Sequence, residues 1–224
     1  MGRKRTLIPL AVLGLLALAV ASVWIGREIS GSGGDKSARS ESGGASIGGP
    51  FTLVNTKGEE VTASDFRGQY MLVYFGYTYC PDVCPTTLVD MSRGLRMLAE
   101  RAPTKAKHVT PVFITIDPAR DDVPAVRAYV KNFHDRMVGL TGSAEQISKA
   151  AKQYHVYYEK VKKDRAEGEY LMNHSSYVYL LGPNGDYLDH MSHKTKAQGI
   201  ADKLQKLVEP STAFAPSGSA TTSG

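Results

Sequence analysis

The chain has 224 residues, enough to bury one good-sized core, and its 42% hydrophobic and 22% charged residues are those of an ordinary globular domain. Much of its net charge of +5 sits at the start, on Arg3, Lys4, Arg5 and Arg27. No basic cluster with interleaved aromatics lies beyond them, so nucleic acid is not an expected partner.

The first element is a membrane signal. Gly2-Arg3-Lys4-Arg5 precedes an apolar run from Leu7 to Ile25, which at 1.5 Å per residue nearly spans a hydrocarbon core of ~30 Å. The leading cations predict a cytoplasmic N-terminus and export of all that follows Gly26. Ala19-Val20-Ala21 resembles a cleavage site, but Val23, Trp24 and Ile25 extend the run past it. Residues 1–29 therefore read as a single transmembrane helix anchoring the chain in a bacterial inner membrane, with its soluble part in the periplasm. Residues 30–49 are rich in Gly and Ser, a flexible linker, and residues 210–224 have the composition of a disordered tail. The folded domain is expected over residues 50–209.

Within that domain, Phe51 to Val54 and Val61-Thr62 flank Lys57-Gly58 as a hairpin. Met71 to Phe75 reads as a buried strand, and Pro85, Leu88, Met91, Leu95 and Leu98 set out the helix after it. Val112 to Ile116 is a second buried strand, followed by a helix over Val123 to Phe133. Ser143 caps a third helix reaching Tyr154, with Ile147, Ala150 and Ala151 on one face. Tyr177 to Leu181 and Tyr187 to His190 form a hairpin around Gly182-Pro183-Asn184-Gly185-Asp186. A last helix turns Ile200, Leu204, Leu207 and Val208 inward. Strand, helix, strand and helix followed by a hairpin and a closing helix predict an α/β, thioredoxin-like fold: a central mixed sheet flanked by helices. The reactive position of such a fold is the turn from first core strand to first helix.

Both cysteines, Cys80 and Cys84, lie in that turn, in FGYTYCPDVCP. In an exported domain two such thiols pair unless a metal or reductant holds them apart. Three readings stay open: a structural disulfide, a redox dithiol, or two legs of a metal site. The three-residue gap departs from the Cys-x-x-Cys dithiol, and a loop this short gains little from cross-linking. At a helix start Cys84 is expected to favour the thiolate, which serves as nucleophile or soft-metal ligand. Among six histidines, His174 is a candidate third ligand, because its loop Asn173-His174-Ser175-Ser176 would face the cysteine turn. His108 and His134 read as surface residues. His190 and His193 also read as surface, with a weak second metal site including Met191 as the alternative. Asp82 is either a turn residue or an outer group of the site. Asp117, Arg120 and Asp121 are expected to cap the next helix and pair locally.

The motif Cys80-Pro81-Asp82-Val83-Cys84-Pro85, preceded by Phe75-Gly76-Tyr77-Thr78, resembles the signature of the Sco/SenC copper-chaperone family. Ile116-Asp117-Pro118-Ala119-Arg120-Asp121, Val138-Gly139-Leu140-Thr141-Gly142, Asn173-His174-Ser175-Ser176 and Tyr179-Leu180-Leu181-Gly182-Pro183-Asn184-Gly185 follow in the family's order. The resemblance implies a thioredoxin-like domain tethered to the inner membrane that binds one copper ion, Cu(I) or Cu(II), through Cys80, Cys84 and His174. It implies cytochrome c oxidase subunit II as partner, whose binuclear copper site the protein would help assemble, with a further periplasmic copper chaperone or thiol reductant upstream. The alternative is a thiol–disulfide oxidoreductase, with Cys80 and Cys84 as redox dithiol, that keeps that subunit's cysteines reduced. A peroxidase like the peroxiredoxins fits the motif less well. The family often has Asp before this histidine, where Asn173 stands here, so no carboxylate is expected at that position.

Overall fold

The computed structural model describes residues 47–162 and 170–210. The anchor and the tail read from the sequence, and the linker up to residue 46, lie outside the described residues. No helix among the described residues is long and apolar enough to cross a membrane.

Among the described residues, nine strands and five α-helices follow in chain order. They are β1 (Thr52–Asn55), β2 (Glu60–Thr62), β3 (Tyr70–Gly76), α1 (Val83–Arg101), a short α2 (Pro103–Ala106), β4 (Val109–Thr115) and α3 (Val123–Val130). After them come β5 (Val138–Thr141), α4 (Ala144–Gln153), β6 (Tyr158–Lys162), β7 (Tyr170–His174), β8 (Tyr177–Leu181), β9 (Tyr187–Ser192) and α5 (Ala197–Leu207). Seven strands form one mixed sheet in the order β2-β1-β5-β4-β3-β8-β9. β3, β4 and β5 run parallel at its centre, with β8 antiparallel on one side and β1 on the other. Helices flank this central mixed sheet, as expected.

β3 and β4 are buried almost throughout, as central parallel strands covered on both faces must be. Alternation then divides β3 between two layers. Tyr74 and Gly76 face α1, where the Cys84 sulfur lies over Gly76. Phe75 faces the other way and packs on Tyr154, at the end of α4, with ring centroids 5.1 Å apart. Helix α1 buries Leu88, Met91, Leu95 and Leu98, each burial favouring the fold by roughly 1.5–3 kcal/mol over exposure. It meets α5 at Gly94, where a Cβ would stand 2.9 Å from Ile200. That close approach carries α5 across α1 and closes the layer.

Two features were not read from the sequence. β5 is a full member of the sheet, and β6 and β7 form a separate two-stranded sheet pairing Tyr158 with His174. His174, expected in a loop, is therefore the last residue of a strand. Ser143 does cap α4, its hydroxyl accepting from the Gln146 amide while the Gln146 side chain accepts from the Ser143 amide. The cap of α3 falls to Asp122, which accepts from the Ala125 amide at 2.8 Å. Neither Asp117 nor Asp121, expected in that role, fills it.

Candidate metal centre

Cys80 lies in the loop between β3 and α1, and Cys84 is the second residue of α1. Cys80 is half-buried and Cys84 fully buried, and both are free thiols. The first turn of α1 therefore directs its unpaired amides at the outer sulfur: the Cys84 amide donates to Cys80 Sγ at 3.4 Å. Cys80 is accordingly the acidic thiol, lowered to about 4 by hydrogen bonding from Cys84, then by His174 and the Asp82 and Cys84 amides, against the opposing effect of burial. Cys84 goes the other way. Its hydrogen bond to Cys80, its burial and the Cys80 charge all hold its proton on. The expectation that Cys84 would be the favoured thiolate is thus reversed, because the helix start faces Cys80 while Cys84 is enclosed.

His174 completes the group. Its Nε2 lies 3.5 Å from Cys84 Sγ and its Nδ1 lies 3.0 Å from the Ser175 carbonyl. A carbonyl only accepts, so Nδ1 donates there, and Nε2 is the ring nitrogen turned to the sulfurs. Two tyrosines hold the ring edge-on, Tyr74 and Tyr77, each with its centroid 6.1 Å away. Cys80, Pro81, Asp82, Tyr77, Asn173 and His174 line an open cleft of about 250 Å³. A larger cavity of about 340 Å³ lies between Phe51, Arg67, Met71 and Tyr154, with no cysteine or histidine in its wall. The three sequence-derived residues thus adjoin one another, linked in pairs. Among the described residues, no three His, Cys, Asp or Glu side chains form a ready-made cage for a metal ion.

A latch that the sequence did not disclose seats the hairpin bearing His174. Tyr170, at the start of β7, donates its hydroxyl to Asp117 at 2.7 Å. Arg120 donates to the other Asp117 oxygen at 2.6 Å and to the Tyr170 carbonyl at 3.1 Å. The Arg120 guanidinium also stacks between Tyr170, 3.5 Å from the ring centroid, and Tyr79 at 4.7 Å. Asp121 serves the cysteine loop instead. It accepts from the Thr78 amide at 2.9 Å and from the Thr78 and Thr115 hydroxyls, both at 2.6 Å. The local Asp117–Arg120 pair is as read from the sequence, but both carboxylates also hold the site together across the chain.

Of the remaining candidates, only Asp82 reaches the cleft, as a lining residue of the turn. Asp82 is exposed and makes no side-chain cap to α1. His108 and His134 are half-buried and do not line the cleft. His190 is exposed and takes the Tyr187 hydroxyl, whereas Met191 points into the core and is 2% exposed. Strand alternation therefore separates the sulfur from the imidazole that the weak second site required.

Residues 39–209 match the family model described as SCO1/SenC. The chain belongs to the SCO1/SenC family. It is 42% identical over 165 residues to the mitochondrial protein SCO2 homolog of Mus musculus, covering 73% of this chain and 64% of that protein. With the mitochondrial SCO1 homolog of Homo sapiens it shares 40% identity, covering 73% and 54% of the two chains. The chain thus spans less than two thirds of either relative. Among solved structures, Arabidopsis thaliana ScoI with copper bound aligns at a TM-score of 0.67 and 37% identity, over 71% of this chain and 96% of that one. Bradyrhizobium japonicum ScoI with copper bound aligns at 0.64 and 35%, over 71% and 98%. SCO1/SenC relatives thus include mitochondrial and bacterial proteins, some of known structure with copper.

Proposed function

We propose that this SCO1/SenC protein is a copper metallochaperone that holds one copper ion through Cys80, Cys84 and His174. In this reading it hands the ion on in assembling the binuclear copper site of cytochrome c oxidase subunit II. The observation that carries it is the 3.5 Å contact of Cys84 Sγ with His174 Nε2, with the acidic Cys80 beside both. Two thiolates suit Cu(I), and an imidazole extends the set to Cu(II). A closed structural zinc site takes four protein ligands, one more than are gathered here. Cys80 and His174 line an open cleft with Cys84 buried behind them, which leaves a side from which a partner can take the ion. Cys80 is already a thiolate at neutral pH, so loading requires a proton to leave Cys84 alone. The copper-bound relatives support the choice of metal. The apolar run at the start of the sequence supports anchoring in a bacterial inner membrane with this domain in the periplasm.

A copper titration of the reduced protein, followed by electron paramagnetic resonance, tests the reading. One Cu(II) per chain with sulfur and nitrogen ligation is expected. His174→Ala is expected to weaken Cu(II) binding sharply while sparing thiol–disulfide exchange. A wild-type signal without sulfur ligation would sink the proposal.

A further inference from the structure

The larger cavity lies at the other end of the sheet. Met71, near the start of β3, stands in its wall, whereas the cysteine turn follows the end of that strand. A volume of about 340 Å³ is that of a site for a small organic molecule. Phe51, Met71, Tyr154 and Leu181 give the cavity an apolar wall, and each is at most 5% exposed. Arg67, an exposed residue, is the one charged side chain that lines it.

That guanidinium is placed but not paired. It lies over Gly185, where a Cβ would stand 2.7 Å from Arg67 Nη1, and the bare backbone of the turn, at φ 76°, leaves it room. Two neighbouring acids are turned elsewhere. Asp65 accepts from the Thr62 amide at 2.7 Å and from the Thr62 hydroxyl at 2.8 Å. The Asp186 carboxylate lies over Gly182, where a Cβ would stand 2.9 Å from both its oxygens. Among the described residues, no carboxylate forms an ion pair with Arg67. The Thr62 hydrogen goes to Asp65, so the Ser64 hydroxyl, 2.7 Å from Thr62 Oγ1, donates to Thr62 in turn. Neither of these two lining hydroxyls has a hydrogen left for an anion, which leaves Arg67 to bind it.

We propose that this cavity binds a small organic monocarboxylate with an aromatic or alicyclic body, its carboxylate held by Arg67 and its ring against Phe51, Met71, Tyr154 and Leu181. The site is separate from the cysteines and does not rest on the copper reading. A guanidinium matches a carboxylate through two parallel N–H···O bonds. One cation balances one negative charge, whereas a phosphate dianion would bring a second charge to an apolar wall.

The test uses the full chain with its methionine methyl groups labelled with carbon-13, and 3-phenylpropionate as the probe. The Met71 methyl signal is expected to shift saturably, with a Kd of about 1 mM or tighter, while those of Met91 and Met191 in the core stay still. Arg67→Gln is expected to weaken binding about tenfold or more, and Arg67→Lys, which keeps the charge and loses the fork, by less. Lys57→Gln, an exposed cation outside the cavity wall, should match wild type. The uncharged 3-phenylpropanol should bind wild type and Arg67→Gln alike, and more weakly than the acid binds wild type. A Met71 signal that does not move, or equal affinity for the acid in wild type and Arg67→Gln, overturns the proposal. So does an equal loss in Lys57→Gln, which would mark general surface charge. Displacement of the acid by an equal concentration of inorganic phosphate would show an anion site without the apolar requirement, and also overturns it.

Discussion

The backbone amide of Cys84 points at the sulfur of Cys80 across 3.4 Å. The Cys84 thiol, more than its amide, hydrogen-bonds the same sulfur, and the two thiols end with opposite characters. At a value of about 4 against an ordinary 9.0, Cys80 is a thiolate across the neutral range, while the enclosed Cys84 keeps its proton. Iodoacetamide at pH 6 is expected to label Cys80 and spare Cys84, as read by peptide mass spectrometry. Cys84→Ala removes the largest stabilising contact of that thiolate, so the pH profile of Cys80 labelling should move upward, toward a free thiol near 8.5. A wild-type profile already rising near pH 8 would contradict the assignment.

The latch between Asp117 and Tyr170 yields a second prediction. β6 and β7 lie outside the main sheet, so side chains must fix where the hairpin presents His174. Tyr170→Phe deletes one hydrogen bond and keeps the ring on which Arg120 stacks, a loss of about 1 kcal/mol. Arg120→Ala is harsher, because it leaves Asp117, 3% exposed, without its cation, costing about 3–5 kcal/mol. In Tyr170→Phe, hydrogen exchange is expected to quicken in residues 158–162 and 170–174 and stay slow in β3. Cu(II) affinity should fall with it, while Cys80 labelling stays at the wild-type rate. Unchanged exchange in the hairpin would show that the latch does not seat His174.

Much of this site was legible in the residues themselves. Apolar runs announced β3 and β4, the spacing of Leu88, Met91, Leu95 and Leu98 announced α1, and the turn between them held both cysteines. Local signals of this kind survive folding because burial on both faces and helical periodicity are written over a few consecutive positions. The β6 and β7 hairpin was not legible, since Lys160, Val161 and Leu171 alternate too weakly among charged neighbours to mark a strand. Tyr170 was missed for a different reason. Its role depends on Asp117, a partner 53 positions away that only the tertiary fold brings close. The polarity of the cysteine pair was misjudged because helix position was weighed without burial.

Asp121 gives a third prediction, about pH. Its carboxylate is wholly buried and accepts three hydrogen bonds, tying Thr78 of the cysteine loop to the end of β4. An amide at this position has one acceptor oxygen, so Asp121→Asn is expected to cost about 1–3 kcal/mol and several degrees in Tm. Burial raises the carboxyl above 3.8 in spite of its bonds to Thr115 and Thr78. A group raised on folding adds stability that is fully present below its unfolded value and is lost as pH climbs through its folded value. The deficit of Asp121→Asn should therefore be largest near pH 4 and shrink toward neutrality, followed by thermal melts across that range. A deficit that grows with pH would mean that the hydrogen bonds outweigh burial.

Gly76 carries the last prediction, because the backbone there leaves no room for a side chain. A Cβ would meet Cys84 Sγ and Tyr74 Cε1 at 3.0 Å and Phe113 at 3.1 Å, all three inside the core. Neither ring can retreat, since Phe113 packs on Tyr129 at 5.4 Å and Tyr74 is fully enclosed. The residue best able to yield is Cys84, at the start of α1, and moving it draws its sulfur away from His174 Nε2. Gly76→Ala is expected to cost about 1–3 kcal/mol by overpacking and to lower Cu(II) affinity more than an equally destabilising change remote from the site. Leu98→Val, a milder cut into the buried face of α1 at its far end, supplies that comparison. Thermal melts and copper titrations on the two variants separate the effects. Equal copper affinity at matched stability would show that the sulfur does not move.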